Sequence, residues 1–260
     1  MSDILGKLSK SAHKRVRKGY YDIATRGNRT TDSFRRRIKT HTTEPVIGEI
    51  KPGSPTQGKL FEGEFDPEKL GRSYSNGGVI GFSVLTDSDH FFGSLDNLRR
   101  VSKLGKPVLM KDFVVDYTQI DAGKTLGADA MLMIYRLFTR GIPNFKLSEG
   151  INHAHQLDME VLLETNDRGE YEAALQTDAD MIGINNRDLR SLKVDLSTTQ
   201  TILANSSKDR IVWSLSGISS RSDVDYLKRA GADAFLVGTS LAKANNRESF
   251  IQTLTGGSDG

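Results

Sequence analysis

Cysteine is absent from all 260 residues. That excludes disulfides, thiolate catalysis and cysteine-ligated zinc, and it fits a cytoplasmic location, where thiols stay reduced. No apolar run approaches the ~20 residues of a membrane-spanning helix, so no membrane partner is expected. The N-terminus, MSDILGKLSK, has neither the apolar stretch nor the small-residue cleavage site of a signal peptide. The five histidines, His13, His41, His90, His153 and His155, show no metal-ligand spacing. His153 and His155 are two apart in a helical stretch and point different ways, so no metal is expected. There is no P-loop and no GxGxxG, so no nucleotide cofactor is indicated.

What is present is an ordinary globular composition, 37% hydrophobic and 27% charged, with material for a sizeable core. The net charge of +3 is unevenly spread. Residues 1–40 hold twelve Lys/Arg against three Asp/Glu, a count of +9, which leaves −6 for the other 220. The basic character thus belongs to an N-terminal extension. It reads as a solvated helix face, as a cover for an anionic substrate, or as a phosphate-backbone contact. The body carries no RNA- or DNA-binding motif, so no nucleic-acid partner is expected.

Eight β-branched apolar runs recur with helical segments between them: 45–51, 78–86, 107–115, 129–137, 159–166, 180–189, 210–218 and 233–241. SLDNLRRVSKLG (94–105) and SRSDVDYLKRAG (220–231) each begin on an N-cap serine and end on a C-cap glycine. Alternating strands and helices predict the α/β class with parallel strands. Eight such units predict a (β/α)8 TIM barrel, a single domain over 1–260 with an N-terminal helical extension. Two helices are expected in that extension, over 3–19 and 30–39, the second with a Thr or Asp cap. The tail, 255–260, is expected to be disordered. GADAMLM (127–133) and GADAFLV (231–237) echo each other half a barrel apart, as a half-barrel repeat or shared helix-stop and strand-start chemistry would produce.

In such a barrel the C-terminal strand ends form the active face. Glu49 and Lys51 end the first run, Lys111 and Asp112 the third, Glu164 and Asn166 the fifth, and Asn185 and Arg187 stand in the sixth. Period-2 alternation puts Glu49 and Lys51 on the face of Ile47, Lys111 with Leu109, Glu164 with Leu162, and Asn185 and Arg187 with Gly183. The mouth would then hold two carboxylates, two lysines, an arginine and an amide, a set suited to general acid and base work. Lys51 and Lys111 are expected to lower one another's pKa. SGIS and VGTSL follow the seventh and eighth runs, where these barrels often bind phosphate. Gly217 and Gly238 would let backbone N–H groups approach the anion, and Ser54 could add a hydroxyl.

VIGEIKPGSP, PVLMKDFVVDYTQI, LLETN, IGINNRDL, SLSGIS and LVGTSL, in this order and spacing, resemble the indole-3-glycerol phosphate synthases over about residues 45–242. The resemblance implies closure of 1-(2-carboxyphenylamino)-1-deoxyribulose 5-phosphate to indole-3-glycerol phosphate, with loss of CO2 and water and no cofactor. It implies that residues 1–44 cover the barrel mouth. Lys111 would be the general acid and Glu164 the general base, with Lys51, Glu49 and Asn185 beside the reacting centre. Arg187 and Ser216 would bind substrate, and Ser54, Gly217, Gly238 and Thr239 its phosphate. The implied partner is a small anionic phosphate-sugar, and the implied state a monomer or weak homodimer. Two departures stand out. Leu215 occupies a position where the family usually has glutamate, and Pro52-Gly53 replace basic residues. Losing that glutamate leaves open a second reading, a phosphate-binding barrel of impaired or altered activity, and predicts still lower lysine pKa values.

Overall fold

The computed structural model describes residues 4–24, 32–189 and 191–256. Eight parallel strands, β1 (Val46–Ile50), β2 (Gly81–Leu85), β3 (Val108–Lys111), β4 (Ala130–Ile134), β5 (Glu160–Thr165), β6 (Met181–Asn185), β7 (Ile211–Leu215) and β8 (Ala234–Val237), close a barrel in chain order. All eight fall inside the apolar runs of the sequence. Each is shorter than its run. The fourth run leaves the sheet at Ile134 and continues as a helix, Tyr135–Thr139; the eighth ends at Val237 and a helix, Thr239–Lys243, takes over. A buried helical turn is as apolar as a buried strand, so the composition of the run does not mark the change.

Alternation divides the strand side chains into two cores. Ile47, Leu109, Leu162, Trp213, Leu215 and Leu236 fill the barrel interior. Val46, Val84, Met110, Val161, Ile182 and Val212 face the surrounding helices. The outer helices carry the caps expected of them. Ser94 and Ser220 accept from the N–H groups of Asn97 and Asp223, and Gly105 and Gly231 adopt the left-handed conformation beyond the helix ends.

The GADA echo has a structural use. The Asp129 N–H donates to the Val108 carbonyl at 2.8 Å, and the Asp129 carboxylate accepts the Val108 N–H at 2.8 Å. Asp233 grips Val212 in the same two-point way, and Asp180, in TDAD, grips Val161. Each aspartate satisfies an N–H at the start of the strand before its own, that of the first residue in β3 and of the second in β5 and β7.

The extension divides between the two ends of the barrel. Helix α1 (Ile4–Arg17) lies at the mouth, where Ile4 and Leu8 line the central cavity. Helix α2 (Phe34–Thr40) closes the opposite end, so residues 1–44 do not cover the mouth as a whole. Phe34 is fully buried and meets Trp213 edge-on at 5.1 Å. The Asp32 N–H donates to Asp129, while Ser33 Oγ and the Phe34 N–H donate to Glu160. The cap of α2 is Ser33, neither Thr nor Asp, because its hydroxyl reaches the Arg36 N–H. At the other terminus, Thr255 ends a helix, Arg247–Thr255, and Gly256 caps it; the rest of the expected tail, 257–260, lies outside the described residues.

Candidate active site

A cavity of about 480 Å³ opens at the C-terminal strand ends. That volume is within the usual range for a small-molecule site. Glu49, Lys51, Lys111, Glu164, Asn185 and Arg187 all line it, from four different strands or the residues just after them. Ser54, Ser216, Gly217, Gly238 and Thr239 line it too. All eleven positions named from sequence therefore surround one space.

Glu49 is its electrostatic centre. One carboxylate oxygen receives Lys111 Nζ at 2.8 Å and the other Lys51 Nζ at 2.7 Å. Burial pushes the Glu49 carboxyl up, but the two ammonium groups outweigh it and hold the pKa down at about 2. Lys51 Nζ also donates to Thr239 Oγ1 at 3.0 Å, which ties the end of β1 to the loop after β8. Lys111 corrects the expectation of mutual lowering. Burial lowers its pKa, but the charges of Glu49 and Glu164 overcome burial and raise it. A carboxylate set between two lysines reverses the sign that the lysines alone would produce.

Glu164 is held differently. It is 2% exposed, and burial raises its pKa against the pull of Lys111 and of a hydrogen bond from Asn185 Nδ2 at 2.9 Å. Asn185 Oδ1 in turn accepts the Arg187 N–H at 3.0 Å, and Asn166 Nδ2 donates to the Arg187 carbonyl at 2.9 Å. The Arg187 guanidinium donates to the Leu192 carbonyl, so the loop after β6 folds back along the cavity wall. The cavity thus holds a charged ammonium and a carboxyl whose pKa is raised, which is the pairing required for proton transfer in both directions.

The loops after β7 and β8 form a second, uncharged side. Ser216 and Gly217 both adopt positive φ, 69° and 91°, a turn that strains a serine and suits a glycine. Gly238 is required by crowding: a Cβ there would lie 2.1 Å from Glu49 Oε2. A short helix, Thr239–Lys243, begins directly after Gly238, at the strand end where barrels of this fold often bind phosphate.

Leu215 is fully buried in the interior core. Its Cδ1 lies over Gly183, where a Cβ would be 2.8 Å away. The side chain packs beside β6, beneath the polar residues of the mouth, as alternation with Trp213 predicts.

Sequence reasoning missed the apolar part of the wall: Phe91, Phe113, Leu189 and Leu192, besides Ile4 and Leu8. Phe91 and Phe113 lie 6.1 Å apart with planes inclined at 34°. Nothing in an isolated Phe marks it as cavity lining. For α1 a signal existed, since Ile4, Leu8 and Ala12 form one helical stripe.

A family model described as indole-3-glycerol phosphate synthase matches residues 5–254. The indole-3-glycerol phosphate synthase of Caldanaerobacter subterraneus subsp. tengcongensis is 41% identical over 215 residues, 82% of this chain and 82% of that protein. The protein of the same name from Methanocaldococcus jannaschii is 37% identical over 203 residues, 78% of this chain and 74% of that protein. Among solved structures, a thiamine phosphate pyrophosphorylase from Pyrococcus furiosus superposes with a TM-score of 0.60 at 13% identity, over 85% of this chain and 96% of that one, a likeness of fold alone.

Proposed function

The chain belongs to the indole-3-glycerol phosphate synthase family, and from that premise we propose how its cavity closes 1-(2-carboxyphenylamino)-1-deoxyribulose 5-phosphate to indole-3-glycerol phosphate with loss of CO2 and water. The observation that carries the proposal is the chain of contacts Lys111–Glu49–Lys51 across the mouth, with Glu164 in the same cavity. The phosphate sits against the N–H groups after β7 and β8, near Gly217, Gly238 and Thr239, with Ser216 and Ser54 at its edge. Arg187 and Asn185 hold the anthranilate carboxylate and amine. Phe91 and Phe113 form the apolar wall against which the ring lies.

Lys111, kept charged by Glu49 and Glu164, donates a proton to the ketone oxygen as the ring carbon attacks the carbonyl carbon. The bond to the carboxylate then breaks, CO2 leaves, and its electron pair restores the aromatic ring. Lys51, the second ammonium of the mouth, protonates the new hydroxyl, which leaves as water as the nitrogen's lone pair moves in. Glu164 removes the remaining proton, and its raised pKa suits it to hold that proton near neutrality. Confinement of both halves of one substrate supplies the orientation that the ring closure needs.

The same reading covers partners and place. Three arginines of the extension are engaged by acids, Arg35 with Asp180 and both Arg36 and Arg37 with Asp32, which supports the absence of a nucleic-acid role. Among the described residues only Phe92 and Val194 are large exposed hydrophobics, which supports a monomer or weak homodimer. No helix of the described residues is long and apolar enough to cross a membrane; the cysteine-free sequence supports the cytoplasm.

Following indole fluorescence after adding the arylamino ketose phosphate tests the reaction. Lys111→Met is expected to lower kcat by roughly 10²–10⁴-fold. Unchanged turnover in that variant would remove Lys111 from the acid role.

A further inference from the structure

Arg15 is the one side chain of α1 that enters the barrel top as a buried charge. It is 4% exposed, although it belongs to the basic stretch HKRVRK. One guanidinium nitrogen meets Asp87 at 2.8 Å and the other meets Asp112 at 2.8 Å. Nε donates to Tyr21 Oη at 3.0 Å, and Tyr21 Oη donates to the second oxygen of Asp112 at 2.7 Å. Thr86 Oγ1 completes the shell of Asp112 at 2.7 Å. Asp89 and Ser11 join at the solvent side.

The two carboxylates that Arg15 bridges have a second task. Asp87 Oδ1 accepts the His90 N–H at 2.7 Å, and the Asp87 carbonyl accepts the Gly93 N–H at 2.9 Å. Those two bonds fix the turn that carries Phe91. Asp112 Oδ1 accepts the Phe113 N–H at 2.8 Å. Asp112 also directly follows Lys111. Tyr20 closes the same loop from above, donating to the Thr86 carbonyl and accepting the Leu95 N–H. One guanidinium therefore ties together the backbones behind both rings of the cavity's aromatic wall.

We infer that Arg15, with Tyr21, is a positioning residue for recognition of the substrate's aryl ring: it sets the spacing of Phe91 and Phe113 by bridging Asp87 and Asp112, and it presses Ile4 and Leu8 of α1 onto the same end of the cavity. The inference rests on the proposed substrate. A planar fork suits the task because it holds two carboxylates at a fixed separation, which a lysine ammonium does not. Burial makes the arrangement stiff, since neither aspartate can turn to water without leaving the other charge unmatched. The phosphate side of the cavity, on the loops after β7 and β8, has no part in these contacts.

The test is a split of affinities. In a Lys111→Met background, which prevents turnover, the Kd of the arylamino ketose phosphate and that of inorganic phosphate are measured by calorimetry, with and without Arg15→Lys or Tyr21→Phe. Arg15→Lys is expected to weaken the arylamino ligand roughly tenfold and leave phosphate within about twofold. Tyr21→Phe, which keeps the charge balance and the ring, is expected to act in the same direction by roughly threefold, and it decides the matter if Arg15→Lys does not fold. Equal weakening of both ligands, or no change in either, would overturn the inference. Turnover of the unaltered chain is a separate measurement: its absence would refute the reaction while the affinity split still reports on Arg15.

Discussion

Lys111 differs from an isolated buried lysine through its neighbours. Burial favours the neutral amine, and Glu49 and Glu164 together reverse that preference. Replacing Glu49 by Gln removes the carboxylate with the larger effect on Lys111. The Lys111 pKa should then fall, so the alkaline limb of the kcat profile moves to lower pH. Glu49 also has a stability role of definite sign. Its folded pKa, about 2, lies below its ordinary value, so the stabilisation is present above about pH 4.5 and is lost as pH falls toward 2. For Glu164 the sign is opposite: burial raises its pKa, and the acid limb of kcat should lie above the ordinary carboxylate range. Leu215→Glu would add a like charge near Glu164 and raise that limb further, and an unchanged pH–rate profile would make the position a bystander. The residues of this charged set were legible in the sequence because charged side chains at the ends of apolar runs are conspicuous. Their pKa directions were not, because those depend on which charges touch. Arg15 was missed for a similar reason. It continues the stripe Ile4, Leu8, Ala12 at helical spacing, yet the count of basic residues around it suggested only a solvated face.

At the scale of elements, the strand positions were readable and their ends were not. Apolar runs located all eight strands, and serine caps with terminal glycines located two of the helices. The ends shifted wherever an apolar run turned from sheet to helix without a change in residue type, as after Ile134. The GADA echo was visible but ambiguous as letters; its aspartates prove to be clamps on neighbouring strands. Asp233→Ala leaves the Val212 N–H without its carboxylate and is expected to lower stability by about 1–3 kcal/mol. Turnover at 25 °C should stay intact, because the clamp is at the end of the barrel remote from the cavity. Asp129→Ala should be the more damaging change, since it also releases the Asp32 N–H that anchors α2. Thermal unfolding of the two variants, followed in parallel, checks that order.

For the whole molecule, the extension is fastened to both ends of the barrel. Arg15 secures it at the mouth and Phe34 seals it to the floor. Phe34→Ala should destabilise the chain by roughly 3–5 kcal/mol. The only tryptophan, Trp213, lies against that ring, so the variant's emission should also shift toward longer wavelengths as water reaches the indole. The two-ended fastening imposes an order on synthesis. Phe34 leaves the ribosome early, but Glu160 follows 126 residues later and Trp213 later still. Until β5 and β7 emerge, α2 lacks the Glu160 carboxylate that accepts its first N–H groups and the Trp213 ring that covers Phe34. Helix α2, among the first parts made, is therefore among the last to reach its final position, and a nascent chain halted before β7 keeps its floor open.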